Sequence, residues 1–89
     1  MTLKLRNGVS AADTDYGIVL LDEDSGQYWN LNPSAARVLR LLLDGGTPAE
    51  AARRLTEQYA VDADGAGRDV ADLVERLRSA DLVEGGSAP

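Results

Sequence analysis

Gln27-Tyr28-Trp29-Asn30-Leu31-Asn32-Pro33 is the stretch at which this chain changes from one kind of structure to another. Tyr28, Trp29 and Leu31 favour an extended, half-buried strand. Asn32-Pro33 then predicts a helix start. Asn32 supplies a capping side chain, and Pro33 occupies the first helical position, where its missing N–H costs nothing. Short β-type runs and turns come before this junction, and helical patterns come after it. The strand is therefore the last of a small sheet, and so an edge. An edge strand beside a helix face has free backbone groups with which to accept a peptide as one more strand.

Working towards the N-terminus, Asp22-Glu23-Asp24-Ser25-Gly26 predicts a tight acidic turn, and Gly17-Ile18-Val19-Leu20-Leu21 the central strand of a meander. Asp13-Thr14-Asp15 reads as a polar turn. Asn7-Gly8 is a two-residue hairpin signal, since both residue types tolerate positive φ. Leu3-Lys4-Leu5-Arg6 alternates as a short surface strand does, so either Leu3-Lys4-Leu5 or Val9-Ser10-Ala11 is the first strand. Three short strands are unstable unless something covers one face.

The cover is helical. A first helix over residues 33–44 carries Ala35, Ala36, Val38, Leu39, Leu41, Leu42 and Leu43, too wide a set for a single stripe. Gly45-Gly46 ends it with a left-handed cap. Thr47-Pro48, with Glu50 three residues after the threonine, forms a capping box that starts a second helix with Ala51, Ala52, Leu55 and Tyr59 inward. Residues 61–67 read as a loop with Asp62 and Asp64 as cap candidates. A third helix over residues 67–80 places Val70, Leu73, Val74 and Leu77 at i, i+3, i+4 and i+7. Leu82-Val83 folds back on the sheet or the first helix. The expected organisation is one domain over residues 1–84 and a flexible tail over residues 85–89. The fold class is α+β, a three-stranded antiparallel sheet packed on three helices.

Composition narrows the chemistry. The 89 residues have a net charge of −6, 44% hydrophobic and 27% charged residues, and neither Cys nor His. Acidic balance argues against non-specific binding to nucleic acid or anionic membrane. Without Cys or His there is no Cys–His or Ser–His pair, and structural zinc is disfavoured. Lys4 is the sole lysine, near the chain start, and nothing places it against a serine. No run approaches the ~20 apolar residues of a membrane span, and the first residues lack the apolar core of a signal peptide. The expectation is a cytoplasmic binding module with no cofactor, not an enzyme.

Tyr28-Trp29-Asn30-Leu31-Asn32, then Ala35, Leu39, Asp44-Gly45 and Thr47, then Leu55, Asp69-Val70, Leu73, Leu77 and Leu82-Val83, resembles the PqqD-like family, the recognition elements of ribosomally made, post-translationally modified peptides. Two positions depart from the family pattern: Ala51, where a larger aliphatic is common, and Asp81, where Gly is common. The resemblance implies a winged helix-turn-helix-like fold that binds the leader segment of a precursor peptide as a strand added to the third strand, in a groove walled by the third helix. Carried over, the leader-binding residues are Gln27, Tyr28, Trp29, Asn30 and Leu31 on the strand, and Asp69, Val70, Leu73, Val74, Arg76 and Leu77 on the helix. A short stand-alone chain of this kind is most similar to the leader-binding proteins of lasso-peptide biosynthesis, which act beside a separate cysteine leader peptidase and a cyclase. An alternative is a recognition element of another modified-peptide pathway, such as quinone-cofactor biosynthesis with a radical enzyme.

Plainer readings stand beside these. Trp29 is also readable as a core aromatic, and the Val70-Leu73-Val74-Leu77 stripe as core with only its margin free to line a groove. Asp69, Asp72, Arg68, Arg76 and Arg78 are by default a solvated helix face. The winged-helix likeness raises DNA binding, but residues 62–80 carry three arginines against five carboxylates, the wrong sign to meet phosphates.

Overall fold

The computed structural model describes residues 3–85. Its elements in chain order are β1 (Leu3–Leu5), β2 (Val9–Thr14), β3 (Gly17–Asp22), β4 (Tyr28–Leu31), α1 (Pro33–Leu43), α2 (Pro48–Gln58), α3 (Ala63–Ser79) and β5 (Val83–Gly85). β2, β3 and β4 form an antiparallel meander with β3 in the centre, as its continuous apolar run predicts. Inward alternation places Ile18 and Leu20 of β3 in the core, opposite Leu31 and Trp29 of β4. α1 lies across this face and against β1, while α2 packs on α3. Leu20, Leu39, Val70 and Leu82 are the large side chains fully enclosed where these layers meet.

The helix ends follow the local sequence closely. Asn32 Oδ1 accepts the Ala35 N–H at 2.9 Å, with Pro33 opening α1. At the other end the Gly46 N–H reaches the Leu41 carbonyl and the Gly45 N–H that of Leu42, with Gly45 at φ +98°. That pair of bonds is a Schellman cap. Thr47 and Glu50 form the reciprocal capping box at 3.1 and 3.2 Å. α3 ends in a second Schellman cap, the Leu82 N–H to Leu77 and the Asp81 N–H to Arg78. Here the left-handed position is Asp81, at φ +59°, the one non-glycine residue with positive φ among those described. This is where the family pattern favours glycine.

Several expectations are corrected. Leu3 and Leu5 do not pair with the Val9 strand; they pair with Gly85 and Val83 in a separate two-stranded sheet. Asn7-Gly8 is therefore a corner and not a two-residue hairpin. The Val9 N–H bonds the Arg6 carbonyl at 3.0 Å, and only Gly8 takes positive φ, whereas the hairpin turn needs it at both residues. β2 runs through Asp13 and Thr14, because their backbones pair with Ile18 and Gly17, so the turn is Asp15-Tyr16. α3 starts at Ala63 and not at residue 67: Asp62 Oδ1 caps the Gly65 N–H at 2.6 Å, and buried Ala66 holds the first turn despite Gly65. Gly85, expected in the tail, is the last residue of β5, and residues 86–89 lie outside the described residues. Leu82 and Val83 do fold back, onto β1 and the core.

Candidate functional site

β4 is an edge, and its hydrogen-bond phase can be worked out residue by residue. The Asp22 N–H donates to the Gln27 carbonyl at 2.8 Å. In an antiparallel ladder bonded and non-bonded pairs alternate. Trp29 opposite Leu20 and Leu31 opposite Ile18 therefore direct their N–H and C=O groups at β3. The groups of Tyr28 and Asn30 point away from the sheet, at the open edge. Gln27 is already committed: its carbonyl closes the hairpin and its N–H bonds Ser25 Oγ at 3.2 Å. Of the five strand residues expected to offer backbone groups, two have them free for a new strand.

Side chains divide by the same alternation. Tyr28 and Asn30 are exposed on the outer face, with Tyr28 beside Leu21. Trp29 and Leu31 face the helices and are only half buried, packed against the core. A side chain on the core face of an edge strand stays half buried because one neighbour is missing. A strand laid beside β4 would cover that flank. The far end of β4 is held by a backbone contact at Gly17. A Cβ there would lie 1.9 Å from the Leu31 carbonyl oxygen, so only glycine allows β3 and β4 to close at this pair.

Beyond Leu31 the edge opens into a cleft of about 390 Å³ between the start of α1, the end of α2 and the exposed side of α3. Asn32, Ser34 and Ala35 form one wall, and Asp69, Asp72, Leu73 and Arg76 the other. Tyr59 and Val61 stand at its α2 end. Three of the expected helix residues, Asp69, Leu73 and Arg76, thus line the cleft. Val70 and Leu77 do not: at 1% and 3% exposure they are core, where no peptide reaches them. Val74 is half buried against the core and lies outside the cleft wall. The helix stripe was one periodic signal, and packing of α3 on α2 divided it. Tyr59 and Val61 were not foreseen as site residues, and Asp72 was read by default as part of a solvated helix face. Asp72 sits one helix position before Leu73, and the other two follow α2 where nothing in the pattern marks a groove.

At the hairpin end of β4 the acidic turn expected from the sequence joins a wider cluster of charges. Asp22 is 8% exposed. Arg6 reaches Asp22 at 3.1 Å and Asp24 at 3.4 Å, and its Nε donates to the Asp81 carbonyl at 2.6 Å. Burial pushes the Asp22 carboxyl up, but the Asp24 and Ser25 N–H groups and the Arg6 charge outweigh it and hold it below its ordinary value. Burial likewise opposes the Arg6 cation, and Asp22, Asp24 and Asp81 together more than offset it, raising the guanidinium pKa. Among the described residues no group of His, Cys, Asp or Glu side chains is arranged to hold a metal ion. No helix of the described chain is long and apolar enough to cross a membrane.

Residues 17–83 match the family described as coenzyme PQQ synthesis protein D (PqqD). No curated protein matches the chain. Among solved structures, the chain is similar to a lasso peptide synthetase B1 complexed with its leader peptide, with 45% identity and a TM-score of 0.90 over 96% of this chain and 100% of that one. It is also similar to TbiB1 in complex with the TbiA(beta) leader peptide, with 30% identity and a TM-score of 0.83 over 96% of this chain and 99% of the other.

Proposed function

The chain belongs to the PqqD family, and from that premise we propose that it binds the leader segment of a ribosomally synthesised precursor peptide as a strand added to β4. The observation that carries the reading is the open edge itself. Tyr28 and Asn30 present unpaired backbone groups, and half-buried Trp29 and Leu31 stand behind them, packed on the core. Backbone pairing supplies affinity without regard to sequence, and side-chain contacts on the two faces supply selectivity. The cleft beyond Asn32 takes the next part of the leader, with Leu73 as its apolar wall and Asp69, Asp72 and Arg76 on its rim. A flexible leader loses entropy on binding, so affinity falls at about −8 to −12 kcal/mol, nanomolar to micromolar.

The chain acts by delivery and not by bond-making. A bound leader holds the attached core peptide at high effective concentration for separate enzymes, a cysteine leader peptidase and a cyclase, in the cytoplasm. The likeness to leader-bound lasso proteins supports the lasso pathway over a quinone-cofactor one. DNA binding is disfavoured by α3 with its cap residue Asp62, whose three arginines face five carboxylates.

Titration of the protein with a synthetic leader from the neighbouring precursor gene tests this, followed by Trp29 fluorescence and by calorimetry. Saturable binding of the native leader, and none of a scrambled one, is the expected result. Heat and fluorescence both flat with the native leader would end the proposal.

A further inference from the structure

A leader strand laid on β4 and running into the cleft requires β4 and α3 to be held at a set separation, and the two elements come near each other at both ends. At one end the first turn of α1, continuous with β4, shares the cleft with Asp72 and Leu73. At the other end Arg6 joins the C-terminal cap of α3 to the base of the β3–β4 hairpin. Its backbone N–H donates to the Leu82 carbonyl at 2.9 Å and its Nε to the Asp81 carbonyl at 2.6 Å, while its terminal nitrogens hold Asp22 and Asp24. From Asp72 to Asp81 a helix rises about 14 Å, and from Gln27 to Asn32 a strand rises about 17 Å. The cleft at one end and the Arg6 bridge at the other are thus about equally far apart along both elements, and the open edge lies between them.

We infer that Arg6 is a positioning residue for leader binding: bridging Asp22, Asp24 and Asp81, it sets the width of the groove between β4 and α3 without touching the leader. The inference rests on the leader-binding reading. Several features set this cluster apart from ordinary surface ion pairs. The Arg6 and Asp22 side chains are 22% and 12% exposed, whereas the Lys4–Glu84 pair is 69% and 50% exposed. Asp22 is the residue whose N–H closes the hairpin on Gln27, one step before the free backbone groups of Tyr28. Asp81 stands in a left-handed conformation that costs energy for any residue but glycine, and from there its carbonyl meets Arg6. A rotation of α3 about its cap would move Leu73 and Arg76 relative to the edge.

Calorimetric titration with the synthetic leader decides it, using the unchanged chain, Arg6→Met, Asp22→Asn, Arg6→Lys and Leu5→Ala. Leu5, next to Arg6 in the chain, is half buried against the core, so its variant reports loosened packing without loss of the bridge. Arg6→Met and Asp22→Asn are expected to weaken binding by about five- to tenfold, Arg6→Lys to recover part of that loss, and Leu5→Ala to bind within about twofold. If the unchanged chain does not bind, the leader reading itself fails. If it binds and Arg6→Met binds as tightly, only the positioning role is overturned. Equal losses in Leu5→Ala and Arg6→Met overturn it too, since general loosening then explains both. Should Arg6→Met fail to fold, Asp22→Asn, which keeps the side-chain shape, is judged by the same criterion.

Discussion

The sheet has two edges, and they differ in what stands behind them. β2 is exposed at every residue after Val9, and its inward positions Ala11 and Asp13 carry little apolar surface. It is tied to α1 by the exposed Asp13–Arg40 pair, a kind of contact that contributes little. β4 is shorter, yet Trp29 and Leu31 back it against the core, the cleft walled by α3 opens beyond its end, and the Arg6–Asp22 bridge steadies its hairpin. Both edges have free backbone groups, since the phase that frees Tyr28 and Asn30 on β4 frees Ala11 and Asp13 on β2. Hydrogen-bonding capacity therefore does not choose between them. Apolar backing does, because a strand bound at β2 would cover almost no buried surface.

The sharpest way to break this comparison is a matched pair of prolines. Asn30→Pro removes an outward N–H and places a ring where the leader would lie, while Ala11→Pro does the same on the other edge. Both leave the internal ladder intact. Asn30→Pro is expected to weaken leader binding by about tenfold to a hundredfold, and Ala11→Pro to leave it unchanged. Equal losses in calorimetric titrations would mean that β4 is not the chosen edge.

Next in size is the backing itself. Trp29→Ala opens a gap behind β4, and since the ring is half buried the cost is about 2 kcal/mol of folding stability, with leader affinity falling as well. Urea unfolding gives the first quantity and calorimetry the second; affinity unchanged in a folded Trp29→Ala would separate backing from binding. The legible part of the site is evident here. Edge position, alternation and the strand-to-helix junction all follow from residues 27–33, because they depend on local periodicity and capping. Which of Val70, Leu73, Val74 and Leu77 could meet a peptide does not follow. All four share one helical stripe, and only the angle at which α3 sits on α2 sorts core from wall.

Acid should loosen β4 through Asp22. Its carboxyl titrates below the ordinary value near 3.8, so the unfolded chain takes up the proton first as pH falls. The stabilisation is present in full above that ordinary value and is lost as pH falls through the lower, folded one. Unfolding midpoints measured from pH 6 to pH 2 should decline less steeply for Asp22→Asn than for the unchanged chain; parallel curves would remove Asp22 from the account. The smallest effect belongs to Asp81→Gly. Relief of the left-handed strain, about 1 kcal/mol, is partly offset by loss of the exposed carboxylate beside Arg6. A gain of under about 1 kcal/mol in thermal or urea unfolding is expected, and a clear loss would show that the Arg6–Asp81 contact outweighs the strain.

Short-range chemistry governs the features that could be read from the chain: the central strand, two helix starts at Asn32 and Thr47, and the glycine stop after α1. Each is settled within about four residues by capping, turn geometry or periodicity. Long-range contacts govern the rest. The pairing of β1 with β5 joins residues near opposite ends of the chain, and no local pattern in Leu3-Lys4-Leu5 names its partner. The bridge from Arg6 to Asp22 and Asp81 likewise spans the whole domain, so an arginine and two aspartates that look solvated one at a time become the brace of the groove only when the fold brings them together.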